Sequence, residues 1–421
     1  MRIECDTSQS LKGVLDRFFD YPIHSEASVQ SSLHDVLNQN SLSKSVAQAI
    51  LDYNQSIHND QKALDNTEQL FEPNALTVVT GQQLGLMGGP LLTILKAVTA
   101  IQVARQFDAV PIFWLATEDH DVDEIRQVIT LNDDGNLDRY SLDFPKRHFV
   151  EDLILNESHL SVIEKFCHKM GVSLDCKAGE LYAKVMARLL TKVFEGKGLV
   201  LVEPHIFRPF SQNIYAKEIQ DSKNIQATLE ASSKRLVESG IQPPLSLDHS
   251  TNLFYKNEDG ERVKVDFGHH SKSAWLDLLK KHPERFSSNA ALRPVVQNAF
   301  LNPIAYVAGP TELAYHQQLQ DYHRYHQVKM PAMVSRLSAT MINEKGAKIL
   351  KEQNTLPWTP LKVTGKDGHY LRNLIHPKEK MQERVLSWWN FHREGLITDM
   401  LERIDWKTKG HYYIWTSSAS H

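Results

Sequence analysis

LTVVTGQQLGLMGGPLLTILKAVTAIQVARQFDAVPIFWLATEDHDVDE, residues 76–124, decides the fold. LTVVT is a short apolar run rich in β-branched residues and it stops at Gly81, as a buried parallel strand does. A glycine-rich turn follows to Pro90, a residue suited to the first turn of a helix. Leu91, Ile94, Leu95, Val98, Ile101 and Ala104 then recur at helical spacing. VPIFWLA at 110–116 is a second continuous apolar run. Strand, turn, helix and strand in about 40 residues make a βαβ unit with a right-handed crossover.

The pattern extends outward on both sides. Residues 8–72 read as helices, beginning with LKGVLDRFFDY behind the N-cap Ser10. QVITL and RYSLDF flank NDDGN as a hairpin, and residues 152–195 return to helix. GLVLVEP at 198–204 reads as a third core strand, followed by a long polar helix over 211–239. NLFYKNEDGERVKVDF alternates around Glu258-Asp259-Gly260 as another hairpin. IAYVAGP (304–310) and PAMVSRLS (331–338) complete the core, with one helix from 311 to about 326 between them. YYIWT reads as a terminal edge strand. The expected fold is α/β: a Rossmann-like parallel core over 76–340 with inserted hairpins, a helical segment over 1–75 packed on it, and a helical region over 341–421.

The chain has 421 residues, 41% hydrophobic and 23% charged, too rich in apolar residues for disorder. Lys and Arg number 47 against 51 Asp and Glu, so the basic excess of a nucleic-acid binder is missing. No apolar run reaches the roughly 18 residues of a membrane span. The N-terminus lacks the pattern of a secretory signal, and three cysteines without a CxxC pair suit a reducing compartment. A cytoplasmic protein is expected.

Two segments combine residue types that chemistry needs. Gly81, Gln82, Gln83 and Gly85 stand at the carboxyl end of a core strand and open a helix, where free N–H groups and the helix dipole attract anions. Neither nucleotide-binding glycine motif is matched. The bland alternative is a tight packing turn. Glu118 to Glu124 places five carboxylates around His120, beside Asp119 and Asp121. Carboxylates so placed favour a protonated imidazole and suit acid–base work or cation binding; otherwise the loop is merely solvated. Arg293 suits a bidentate grip on a carboxylate. Glu312 and Tyr315 follow another strand and turn, where Glu312 serves either the helix dipole or a ligand. Arg336 ends the last core strand, and Asn252 opens the second hairpin. His316, His323 and His326 are spaced too widely along their helix to chelate one ion unaided, and no metal is expected.

Together these segments resemble one family, the cysteine-adding enzymes of bacillithiol biosynthesis. The similarity rests on TGQQLGLMGGPLLTILKAVTAI, VPIFWLATEDHDVDEI, PERFSSNAALRPVVQ, AYVAGPTELAYHQQL, KMPAMVSRLS and the closing KEKMQERVLSWW, in the family's order. The resemblance implies a Rossmann-like core with connecting-peptide insertions. It implies a carbon–nitrogen ligase that adds L-cysteine to glucosaminyl-malate, making a low-molecular-weight thiol. ATP dependence is the chemical expectation, because a free carboxylate does not acylate an amine in water unaided. His120, Asp119 and Asp121 are the expected catalytic residues. Gly81, Gln82, Gln83, Gly85, Asn252, Arg293, Glu312, Tyr315 and Arg336 are the expected substrate contacts. The rival readings are a metal-dependent amide hydrolase using the acidic loop and a non-catalytic small-molecule-binding relative.

One departure stands out. Family members carry a long antiparallel coiled coil after the last core strand, associated with dimerisation. Here MINEKGAKILKEQ runs directly into NTLPWTPLKV. A monomer or weak homodimer is expected.

Overall fold

Five continuous apolar runs become one parallel sheet because each is buried on both faces and needs no polar side. The structure, a computed structural model, describes residues 2–6, 15–37, 42–132, 134–247, 250–268, 270–357, 364–375, 388–391 and 395–416. The sheet order is Ala332–Ser335, Pro303–Ala308, Thr77–Gln82, Val110–Leu115, Val200–Val202, all neighbours parallel. Thr80 sits opposite Phe113 on one side and Val307 on the other. The chain winds outward in one direction from Thr77–Gln82, then returns to its other side at Pro303–Ala308. That reversal opens a crevice at the carboxyl ends of these two strands, the place where such sheets bind ligands.

The helix Leu91–Gln106 lies against one face, where Ile94, Val98 and Ile101 join Phe113 and Leu115 in a buried cluster. Val79, Ile112, Trp114, Val200 and Val202 fill the other face. The first cluster also takes in Tyr53 and Ile57 from the N-terminal helices and Met400 and Ile414 from the C-terminal region. Both hairpins form: Gln127–Leu131 with Leu137–Ser141, and Leu253–Lys256 with Arg262–Lys264. Phe286–Ser288 adds a third strand to the second of them.

Elsewhere the structure departs from the sequence reading. The polar helix over 211–239 is two helices, Gln212–Gln220 and Ser222–Glu238, and that over 311–326 is also two, Pro310–His316 and Gln320–His326. LKGVLDRFFDY lies partly outside the described residues, and its described part holds a 3-10 turn at Asp16–Phe18. The strand His411–Trp415 is no edge: it is the middle of a three-stranded sheet, antiparallel to Arg2–Asp6 and parallel to Ser338–Ile342. The alternation RIECD is too polar and too short to announce that first strand. Of KEKMQERVLSWW, residues 378–387 lie outside the described residues, and Trp388–Phe391 is a 3-10 turn. Among the described residues no helix after Ile342 exceeds the 11 residues of Gly365–Ile375. No described helix is long and apolar enough to cross a membrane.

Candidate active site

The crevice at the strand ends holds a cavity of about 640 Å³. Its wall includes Gly81, Gln82 and Gln83 after the central strand, and Glu118 and Asp119 after Val110–Leu115. Gly309, Thr311, Glu312 and Tyr315 come from the opposite strand, Arg336 from the edge strand. Lys96, Phe254, Arg262, Ser288, Asn289 and Arg293 close it. Gly81 is required there: a Cβ would stand 3.0 Å from the Trp114 carbonyl oxygen.

Charge dominates this wall. Lys96, buried in the helix Leu91–Gln106, donates to the Gly81 carbonyl at 2.6 Å and to Gln82 Oε1 at 2.9 Å, and pairs with Glu312. Glu312 also accepts from the Tyr306 hydroxyl at 2.9 Å and the Gly309 N–H at 2.8 Å. Burial pushes the Glu312 pKa up, but Lys96 and Arg293 outweigh it and hold the carboxyl below its ordinary value. Three guanidinium groups have no such partner. Arg293 donates to the Tyr315 hydroxyl at 2.5 Å, Arg336 to the Leu337 carbonyl at 2.8 Å, and Arg262 to the Ser288 carbonyl at 2.7 Å. Among the described residues none of the three pairs with a carboxylate. Burial lowers the pKa of Arg262 and Arg336. Half-buried cations left in this state favour an anionic ligand.

Asp119 is saturated. Its Oδ2 accepts from Gln83 Nε2 at 2.6 Å, and its Oδ1 from the N–H groups of His120 at 2.7 Å and Asp121 at 3.2 Å. Burial works against its charge, yet the His120 side chain, Gln83, Arg262 and the Asp121 N–H hold its pKa well below the usual carboxylate range. Glu118 behaves oppositely: it is buried, and burial raises its pKa despite Arg208 and Arg262.

A second cavity of about 410 Å³ adjoins the first and shares Gln83, Asp119 and Glu124 with it. His120 and Asp121 line this one, with Lys146 and Arg147. The imidazole stands between a carboxylate and a cation: its Nδ1 lies 3.6 Å from Asp119 Oδ1 and 3.1 Å from Arg262 Nη1. A guanidinium only donates, so toward Arg262 this nitrogen can serve only as an acceptor. Asp121 caps the short helix Val122–Ile125 by accepting from the Asp123 N–H at 3.1 Å.

Two expected contacts lie elsewhere. Gly85 does not reach the cavity; it packs on Gly89, and a Cβ there would stand 2.8 Å from the Gly89 Cα. The GQQ half of the turn faces the cavity, while Leu86, Met87 and Gly88 are buried and the Met87 carbonyl accepts from Trp389 Nε1 at 2.8 Å. Asn252 sits behind the wall, its amide donating to Glu218 at 3.2 Å and Tyr322 at 3.1 Å. Its Oδ1 accepts at 2.9 Å from Asn289, which does line the cavity. The histidines of the 310–326 segment have separate surroundings: His316 and His323 are buried, and His326 bonds Glu218 at 2.8 Å. Among the described residues no group of three or more His, Cys, Asp or Glu is placed to hold a metal.

Comparison with known proteins agrees with this architecture. The family model described as "Bacillithiol biosynthesis BshC, N-terminal Rossmann-like domain" matches residues 6–337. A relative from Halalkalibacterium halodurans, named "Putative cysteine ligase BshC", is 31% identical over 357 residues, 77% of this chain and 66% of the relative. Relatives of the same name from Bacillus cytotoxicus and Chlorobium phaeobacteroides are each 28% identical, over 92% of this chain and 78% and 74% of their own lengths. The chain thus spans about two thirds to four fifths of the relatives it matches. A match over most of the chain, carried on a parallel Rossmann-like sheet, means that this chain belongs to the BshC family of bacillithiol biosynthesis.

Proposed function

We propose that this protein is a carbon–nitrogen ligase that joins the carboxyl group of L-cysteine to the amine of glucosaminyl-malate, with ATP as the source of activation. The observation that carries the reading is the cluster of Arg262, Arg293 and Arg336 around one cavity without carboxylate partners. A malate group brings two carboxylates and cysteine a third, so these substrates supply the missing charge. Guanidinium forks match phosphate as well as carboxylate, so Arg293 and Arg336 also suit the phosphates of a nucleotide. ATP would supply the activation of the cysteine carboxylate. The acidic loop that begins at Glu118 suits an amine seated on the main-cavity side of Asp119, with His120 steadying Arg262. We further read the enzyme as cytoplasmic, since three cysteines without a CxxC pair suit a reducing compartment, and as a monomer or weak homodimer.

The test is to incubate the purified protein with cysteine, glucosaminyl-malate and ATP and to seek the amide by mass spectrometry. Product that disappears when ATP is withheld is the expected result. No amide from the complete mixture would overturn the reading. Separately, L-malate should raise the melting temperature through binding to the folded state, and Arg336→Ala should remove that rise.

A further inference from the structure

We propose that Glu118 is the catalytic base of this site, accepting a proton from the attacking amine through its Oε1; the role rests on the ligase reading above. Four carboxylates line the main cavity, and three are spoken for. Both oxygens of Glu312 are bonded, to Tyr306 and to Gly309 and Lys96. Both oxygens of Asp119 are bonded, to Gln83 and to two backbone N–H groups. Glu124 is exposed at the border with the second cavity and receives Gln83. Glu118 is held by one oxygen only: its Oε2 accepts from the Ser288 hydroxyl at 2.9 Å, and among the described residues its Oε1 accepts no hydrogen bond.

Glu118 faces cations, but none of them hydrogen-bonds its Oε1. The nearest cation is Arg208, whose two Nη groups grip Glu151 at 2.6 and 2.9 Å. Its Nε stands 3.6 Å from Glu118 Oε1, beyond hydrogen-bond reach, and has no other partner. A buried carboxylate with one oxygen left without a hydrogen bond is costly, and a reacting proton supplies a reason for it. Burial raises the Glu118 pKa, which makes its carboxylate a stronger base.

The sugar amine is an ammonium in neutral water. Glu118 Oε1 takes one of its protons, and the freed nitrogen lone pair forms the C–N bond at the activated acyl carbon of cysteine, an acyl phosphate or acyl adenylate. The C–O bond to the phosphate breaks and its electron pair leaves with that oxygen. The second nitrogen proton departs with the phosphate.

Glu118→Gln keeps the Ser288 bond and the shape. It should lower kcat by about 10²–10⁴ while L-malate affinity stays within about twofold. The wild-type rate should fall on the acid side of the Glu118 pKa, and the residual activity of E118Q should lack that limb. The charged groups acting on that carboxyl are Arg208, Arg262, Glu151, Tyr215 and Arg293. Wild-type kcat in E118Q, or an unchanged acid limb, overturns the proposal, as does a loss of malate affinity as large as the loss of kcat. Should E118Q fail to fold, Glu118→Asp serves: the retracted carboxylate should lower kcat at unchanged malate affinity, and a wild-type kcat overturns the role. Wild-type protein that makes no amide removes the ligase reading instead, a result distinct from any of these.

Discussion

Three arginines line one wall and none donates a hydrogen bond to a carboxylate among the described residues, so each keeps a charged fork for an arriving anion. Replacing one should therefore weaken binding far more than stability. Arg293→Ala and Arg336→Ala should each raise KM for the malate-bearing substrate by about 10- to 100-fold, the loss of one charge-assisted hydrogen bond of about 1.5–3 kcal/mol. Melting temperature should stay level or rise, because an unpaired cation has gone. His120→Ala should cost about tenfold or somewhat more in kcat/KM, acting through the freed Arg262 fork. Wild-type kinetics in a well-folded His120→Ala protein would detach the ring from the site. These residues were unevenly legible. Arg336 stands out because it ends a core strand, and Arg293 because it opens a helix after a polar turn. Arg262 sits in a hairpin whose polar alternation is ordinary for a solvated ribbon, and only the fold carries it to the strand ends. Lys96 reads as a snorkelling residue on a buried helix. Nothing in a linear chain reveals that its ammonium is locked onto Gly81, Gln82 and Glu312.

At the scale of elements, the turn between the central strand and its helix is two devices in series. Gln82 and Gln83 face the ligand space, while Gly85 and Gly89 press together, with Gly89 at a φ of +72° that suits glycine. Gly85→Ala should cost about 1–3 kcal/mol of stability by overpacking, read as a lower midpoint in denaturant. It should weaken malate binding less than Arg336→Ala does, since it touches no ligand. The reverse order would place this half of the turn in the binding wall. All five core strands were legible because each is an unbroken apolar run, and both hairpins because Gly follows acidic or amide residues at their tips. The helix breaks at Asp221 and at 317–319 were not, since neither carries proline or glycine. Gly85 and Asn252 misled for opposite reasons: one shares a motif with true cavity residues, the other lies one hydrogen bond behind Asn289.

The whole molecule carries a built-in sensitivity to acid. Burial pushes the pKa values of His316 and His323 down to about 3, against an unfolded value near 6.5. Below that unfolded value the unfolded chain binds more protons, so stability falls as pH drops from about 6.5 toward 3 and levels off beneath it. Melting temperature followed from pH 8 to 4 should decline before most carboxylates titrate, and His323→Gln should flatten the decline. A flat wild-type profile would show these rings to be reachable by protons in the folded state. Sedimentation at micromolar concentration should give a monomer or a rapidly exchanging dimer, because a stable interface buries about 1,600 Å² and the described region after Ile342 offers only short helices; a single tight dimer would contradict this. The small sheet that joins Arg2–Asp6, His411–Trp415 and Ser338–Ile342 carries its own consequence. Arg336 lies two residues before the strand that docks on His411–Trp415. During synthesis, a ribosome-held chain still lacking residues 411–415 can assemble the parallel core yet leaves that neighbouring strand without its partner. Long-range pairing of this kind forms late. The anion grip should therefore mature last, so a nascent polypeptide stays unable to capture its substrates until the final strand has left the exit tunnel.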